Sequence, residues 1–116
     1  MKICFLGCGN IAQAIIDGLF KSGMQPSHIA CIERNEQRVN SLKTQGLQII
    51  ELENLASLDF DLIVLAVKPK DALGAAKSIF KHLPTAIILS VVAGIGIEKY
   101  SQPKSIIRAM PNTACA

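Results

Sequence analysis

Short unbroken apolar runs alternate along this chain with stretches in which apolar residues recur every three or four positions. The runs at residues 3–6 and 62–67 are continuous, which predicts strands buried on both faces; the first strand is predicted over 2–6, and further strands over 28–32, 47–50, 86–92 and 104–109. Between them, Ile11, Ala12, Ile15, Ile16, Leu19 and Phe20 recur at helical spacing and predict a helix over 10–22 that buries that face. Gly23 closes it, and Pro26 and Ser27 belong to the following loop. A second helix is predicted over 36–45, with Val39 and Leu42 inward and Gly46 at its end. A third opens at Pro69, where a missing N–H costs nothing, and buries Ala72, Leu73, Ala76, Ile79 and Phe80. Residues 51–58 read as one or two helical turns beside one end of a cleft, and 97–100 as a short helix.

Strands alternating with helices about six times predict an α/β fold. Right-handed crossovers then make it a doubly wound parallel sheet of Rossmann type, with strand order 3-2-1-4-5-6 and helices on both faces. The 116 residues suffice for one domain with a real core, spanning 1–116. Hydrophobic residues make up 50% and aromatics 4%, so the core is Ile, Leu, Val and Ala.

The first strand runs into Gly7-Cys8-Gly9-Asn10-Ile11-Ala12. This is the dinucleotide fingerprint Gly-x-Gly-x-x-Gly/Ala in its strand–turn–helix setting. Gly7 lets the chain turn off the strand, Gly9 lets backbone approach a pyrophosphate, and Ala12 lets helix and strand pack closely. Free N–H groups at the helix start face the phosphates. The alternative is a plain structural corner. After the second strand come Glu33, Arg34 and Asn35. An acidic residue here takes ribose hydroxyls of NAD, and a nearby Arg takes the 2′-phosphate of NADP. Arg34 favours NADP(H), NAD(H) stays possible, and the alternative is that both charges are merely solvated.

Lys68, at the exit of the fourth strand, stands near the cofactor or only caps the sheet edge. The turn 93–96 either reverses the chain or approaches the nicotinamide. His82 reads as a surface residue. Asn112, beyond the sixth strand, can hydrogen-bond cofactor or substrate. The net charge of +3 is scattered, so no basic run marks a nucleic-acid or membrane surface. No apolar run approaches a bilayer span and no secretory leader is recognisable, which points to the cytoplasm. Cys4, Cys8, Cys31 and Cys115 form no CxxC pair, and no metal site is expected. Cys4 and Cys31 read as small buried residues.

Four stretches in this order resemble pyrroline-5-carboxylate reductase: Gly7 to Ala12, Ala66-Val67-Lys68-Pro69, Ser90-Val91-Val92-Ala93-Gly94-Ile95, and Arg108-Ala109-Met110-Pro111-Asn112-Thr113. The last is the most specific, and the resemblance covers essentially the whole chain. It implies an oxidoreductase of proline biosynthesis that passes hydride from NAD(P)H to the C=N bond of 1-pyrroline-5-carboxylate. It also implies cofactor binding by Gly7, Cys8, Gly9, Asn10, Ile11, Ala12, Arg34, Ala66, Val67, Lys68, Pro69, Val91, Val92 and Ala93. Asn54 joins them only across an alignment gap. Ala114 departs from the family's usual Pro. The family adds an all-helical domain that forms the homo-oligomer and most of the substrate pocket. Its absence here implies a cut chain, inactive alone, with an apolar patch bared near the C-terminus. No catalytic side chain is assigned. Two other readings stay open: a coenzyme F420-dependent NADP reductase, against which residues 110–113 speak, and a non-catalytic nucleotide-binding module.

Overall fold

The computed structural model describes residues 1–109. Six strands, β1 (Ile3–Leu6), β2 (Ile29–Ile32), β3 (Gln48–Ile49), β4 (Leu62–Leu65), β5 (Ile88–Ser90) and β6 (Ile106–Arg108), alternate with three helices, α1 (Asn10–Lys21), α2 (Glu36–Thr44) and α3 (Pro69–His82). Short 3-10 turns occupy Pro26–His28, Leu52–Ser57, Ile97–Lys99 and Pro103–Ser105. The sheet order is β3-β2-β1-β4-β5-β6, as expected, and every pairing is parallel.

Successive strand residues point to opposite faces, so the sheet carries two cores. Phe5, Cys31 and Val64 pack with Ala12 and Ile16 of α1 and Leu42 of α2. Cys4, Ile63 and Leu65 pack on the other face with Ala76 and Ile79 of α3 and Leu55 of the Leu52–Ser57 turn. Each fully buried Ile or Leu stabilises the fold by roughly 1.5–3 kcal/mol. Among the described residues no helix is long and apolar enough to cross a membrane.

Several elements are shorter than the apolar runs that announce them. β4 ends at Leu65 rather than Val67, and β5 covers Ile88–Ser90 rather than 86–92. Apolar character outlasts pairing there because the residues beyond the ladder are still half-buried or buried: Ala66, Val67, Val91 and Val92 leave the sheet without reaching full solvent. Residue 28 belongs to a 3-10 turn and not to β2. His82 is the last residue of α3 rather than beyond it. Two expected core positions are exposed, Ile11 at 38% and Leu73 at 42%. Ala12 and Ala72 beside them are fully buried, so Ile11 and Leu73 each lie at the margin of their helix's apolar face rather than at its centre. Ile87 and Ile107, on the β5–β6 side, are also exposed.

Tyr100 was expected only in a short helix. Its hydroxyl meets the buried Ser90 Oγ at 3.1 Å, and the Val92 N–H donates to that Oγ at 3.3 Å. This pair ties the end of β5 to the segment that follows the small-residue turn, at positions with almost no exposure.

Candidate functional site

Registration puts Leu6, Ile32, Leu65, Ser90 and Arg108 in one row across five strands. The next residues continue the ladder by one bond before turning away. Gly7 N–H donates to Ile32 C=O at 3.1 Å, Ala66 N–H to Leu6 C=O at 2.9 Å and Val91 N–H to Leu65 C=O at 3.1 Å. Four described loops, those after β1, β2, β4 and β5, therefore leave the sheet along one carboxyl edge. β1 feeds α1 on one face and its neighbour β4 feeds α3 on the other. The crevice between them is the switch point at which open α/β sheets bind ligands.

Gly7 has φ +84°, and a Cβ there would lie 2.7 Å from the Ala66 carbonyl oxygen and 3.0 Å from Val67 Cγ1. It is needed twice over, for its left-handed backbone and for the contact that holds the two loops together. Gly9 precedes α1 in extended backbone, and a Cβ there would meet only the Arg38 guanidinium, at 3.8–3.9 Å. No side chain caps α1 and its first turn holds no acid. The opening N–H groups of the helix are thus presented, without a competing carboxylate, beside a glycine that leaves room above it. Ala12 is fully buried against the sheet.

The other candidate residues divide by which of their atoms face the crevice. Cys8 is 4% exposed, so its side chain belongs to the core, and its N–H already donates to Glu33 Oε1 at 2.9 Å. The neighbouring Cys31 thiol, then burial, push the Cys8 thiol well up, and burial first, then Cys8, push Cys4 up to about 12. Neither is a nucleophile at neutral pH. Val91 and Val92 are buried in opposite cores, leaving only backbone to a ligand, while Ala93 is exposed. Asn10, Lys68 and Pro69 are exposed, and Ala66 and Val67 half-buried, at the crevice rim. Asn54 turns its side-chain oxygen to the Glu51 N–H at 3.1 Å, within a turn packed on α3. Asn112 lies outside the described residues.

Glu33 organises the β2 side of the crevice. Its Oε1 takes the Cys8 N–H, and its Oε2 takes those of Arg34 at 2.9 Å and Asn35 at 3.0 Å. Burial pushes this carboxyl up. The amide bonds from Asn35, Cys8 and Arg34 and the Arg38 charge outweigh that and hold it below its ordinary value. A lowered native value means that the anion stabilises the fold above the ordinary carboxylate range. That stabilisation disappears as pH falls through the native value. Glu33→Gln is therefore expected to be less stable than the parent at neutral pH and to converge with it in acid. Thermal melts across that range check this, and a gap that persists unchanged into acid would contradict it.

Arg38 was not singled out by its sequence. It lies 3.8 Å from Glu33 and lines a groove of about 130 Å³ with Gly9, Asn10, Gln13 and Ser41. The signal was available. Asn35 caps α2 by accepting the Arg38 N–H at 3.0 Å. Helical side chains lean toward the N-terminus, so the third residue after such a cap reaches back to the glycine turn.

The comparisons with known proteins agree with this geometry. The family model described as NADP oxidoreductase, coenzyme F420-dependent, matches residues 2–94. Pyrroline-5-carboxylate reductase 2 of Bacillus subtilis is 37% identical over 99% of this chain and 44% of its own length. The Escherichia coli pyrroline-5-carboxylate reductase is 33% identical over 97% of this chain and 44% of its own. Among solved structures, Plasmodium falciparum pyrroline carboxylate reductase with NADP bound superposes with TM-score 0.78 at 26% identity, over 99% of this chain and 44% of that one. The pyrroline-5-carboxylate reductase of Coxiella burnetii gives TM-score 0.79 at 28% identity, over 97% and 44%. The chain thus spans a little under half the length of these relatives. With a fingerprint turn, a switch-point crevice and a family match over most of its length, this chain belongs to the coenzyme F420-dependent NADP oxidoreductase family.

Proposed function

We propose that this chain is the nucleotide-binding half of a reductase that uses NAD(P)H to reduce the C=N bond of 1-pyrroline-5-carboxylate to L-proline. The observation that carries the nucleotide is the uncapped, acid-free start of α1 beside Gly9. The substrate comes from the relatives' names, since the similarity runs the length of the chain. NADP(H) is favoured over NAD(H). Arg34 and Arg38 stand at the adenosine side, and Glu33 gives its carboxylate to backbone amides. The NADP bound in the Plasmodium falciparum relative supports the same choice.

When bound, the nicotinamide cofactor supplies the hydride. The chain's own part is placement. Amides of residues 10–12 take the diphosphate, the 66–69 loop and Ala93 flank the crevice further along, and the buried Val91 and Val92 fix the backbone there. A substrate whose imine nitrogen is already protonated on arrival needs only the hydride, and no side chain of this chain is assigned a proton transfer. The remainder of the substrate pocket and the homo-oligomer belong to a further helical domain. The full-length protein, given NADPH and 1-pyrroline-5-carboxylate, is expected to consume the cofactor and release proline. Oxidation of NADPH by oxidised coenzyme F420, with none by the pyrroline, would replace this reading with the one that the family description suggests.

A further inference from the structure

Among the described residues the buried core holds two hydroxyls, those of Ser90 and Tyr100. Packing alone asks for neither, since Ala at one position and Phe at the other would fill nearly the same space. A buried hydroxyl is costly unless it is bonded, and these two meet each other at 3.1 Å. Ser90 Oγ also accepts the Val92 N–H at 3.3 Å, a side chain bonding its own backbone two residues on. One oxygen thus ties down both ends of the excursion from Val92 to Tyr100. Between those ends little else aims the turn. Ala93 and Gly94 are exposed, and nothing lies within 4 Å of a Cβ built on Gly94. Among the described residues, Ala93, Gly94 and Ile95 donate no backbone hydrogen bond to protein. Ile95 packs against the core, but apolar contact is non-directional.

We infer that Tyr100 is a positioning residue for the nicotinamide half of the cofactor. It acts through Ser90. Its hydroxyl holds the Ser90 side chain in the orientation that receives the Val92 N–H, and so sets where the free amides of residues 93–95 point. This inference rests on the reading of the crevice as an NAD(P)H site. In that reading the diphosphate lies at the start of α1, and the adenosine half lies toward β2, where Glu33 and Arg38 stand. The other half then extends past β4 to the exit of β5. Tyr100 is 3% exposed, so it touches no ligand itself.

The test is a set of titrations with NADPH and with 2′,5′-ADP, which lacks the nicotinamide half, each paired with a thermal melt. The parent chain, Tyr100→Phe, Ser90→Ala and the double variant are compared. Tyr100→Phe keeps the ring and is expected to weaken NADPH by about three- to tenfold, the worth of one hydrogen bond, and 2′,5′-ADP by less than about twofold. Because Tyr100 acts through Ser90, the double variant should lose no more NADPH affinity than Ser90→Ala alone. Should Ser90→Ala fail to fold, the amide resonances of residues 93–95 in the parent decide beside Tyr100→Phe: they should move with NADPH and stay still with 2′,5′-ADP. A ratio of the two affinities that Tyr100→Phe leaves unchanged, whether or not the melt falls, would make the pair structural only and overturn the inference. So would additive losses in the double variant, or resonances of 93–95 that ignore NADPH. In each of those cases the crevice would still be a dinucleotide site. A parent that binds neither ligand would overturn the site reading and this inference together.

Discussion

Gly7→Ala is expected to destabilise the domain by about 2–5 kcal/mol, a large share of the 5–15 kcal/mol that typically holds a domain together. Two costs add. A left-handed non-glycine residue costs roughly 1–2 kcal/mol, and Gly7 has φ +84°. The new Cβ would also stand 2.7 Å from the Ala66 carbonyl oxygen. That oxygen is backbone at the end of β4, so it yields only if two loops move, and such overpacking costs about 1–3 kcal/mol. Gly18→Ala supplies the control. It lies within α1 with nothing within 4 Å of its would-be Cβ, and helix propensity there favours Ala by roughly 0.5–1 kcal/mol. Denaturant unfolding of the two variants should show opposite signs. A Gly7→Ala chain as stable as the parent would mean that the β1 and β4 exits are not locked together as described.

The second large effect separates binding from folding at Gly9. Its extended backbone is open to any residue, and the nearest atoms to a Cβ are those of a flexible Arg38 side chain at 3.8–3.9 Å. Gly9→Ala should therefore unfold within about 0.5 kcal/mol of the parent, as surface substitutions do. The methyl group would occupy the space through which a diphosphate must approach the α1 amides. Dinucleotide affinity is expected to fall by at least about tenfold, or 1.4 kcal/mol. Fluorescence titration with NADPH, paired with a melt, reads both quantities. Unchanged affinity would make Gly9 a structural glycine and remove the observation on which the site rests.

The sheet order was legible because unbroken apolar runs mark parallel strands, and the handedness of crossovers leaves few alternatives. The strand ends were not. Ala66, Val67, Val91 and Val92 are apolar because they pack beneath the loops that leave the sheet, and their composition does not distinguish that from pairing. The helical period misplaced Ile11 and Leu73 because both lie at the margin of the apolar arc, which the period includes although only the arc's centre is covered, as the burial of Ala12 and Ala72 shows. Gly7 was legible, since its positive φ and the close approach of the Ala66 carbonyl impose glycine directly, whereas nothing in the fold itself demands glycine at Gly9. The role of Glu33 was only half legible. Its position at the end of β2 was clear from spacing, but its three backbone partners come from two separate loops. Arg38 required the cap at Asn35 to be recognised first.

The central claim is that a dinucleotide lies along the carboxyl edge of the sheet, across the switch point between β1 and β4. Backbone amide chemical shifts, recorded as NADPH is added to the isotope-labelled chain, test it most directly. The expected changes concentrate at Gly7 to Ala12, at Glu33 to Asn35, at Ala66 and Val67, and at Val91 to Ala93. Changes gathered instead at the opposite edge, around Lys2, Ile29 and Phe60, or no changes at saturating nucleotide, would contradict it.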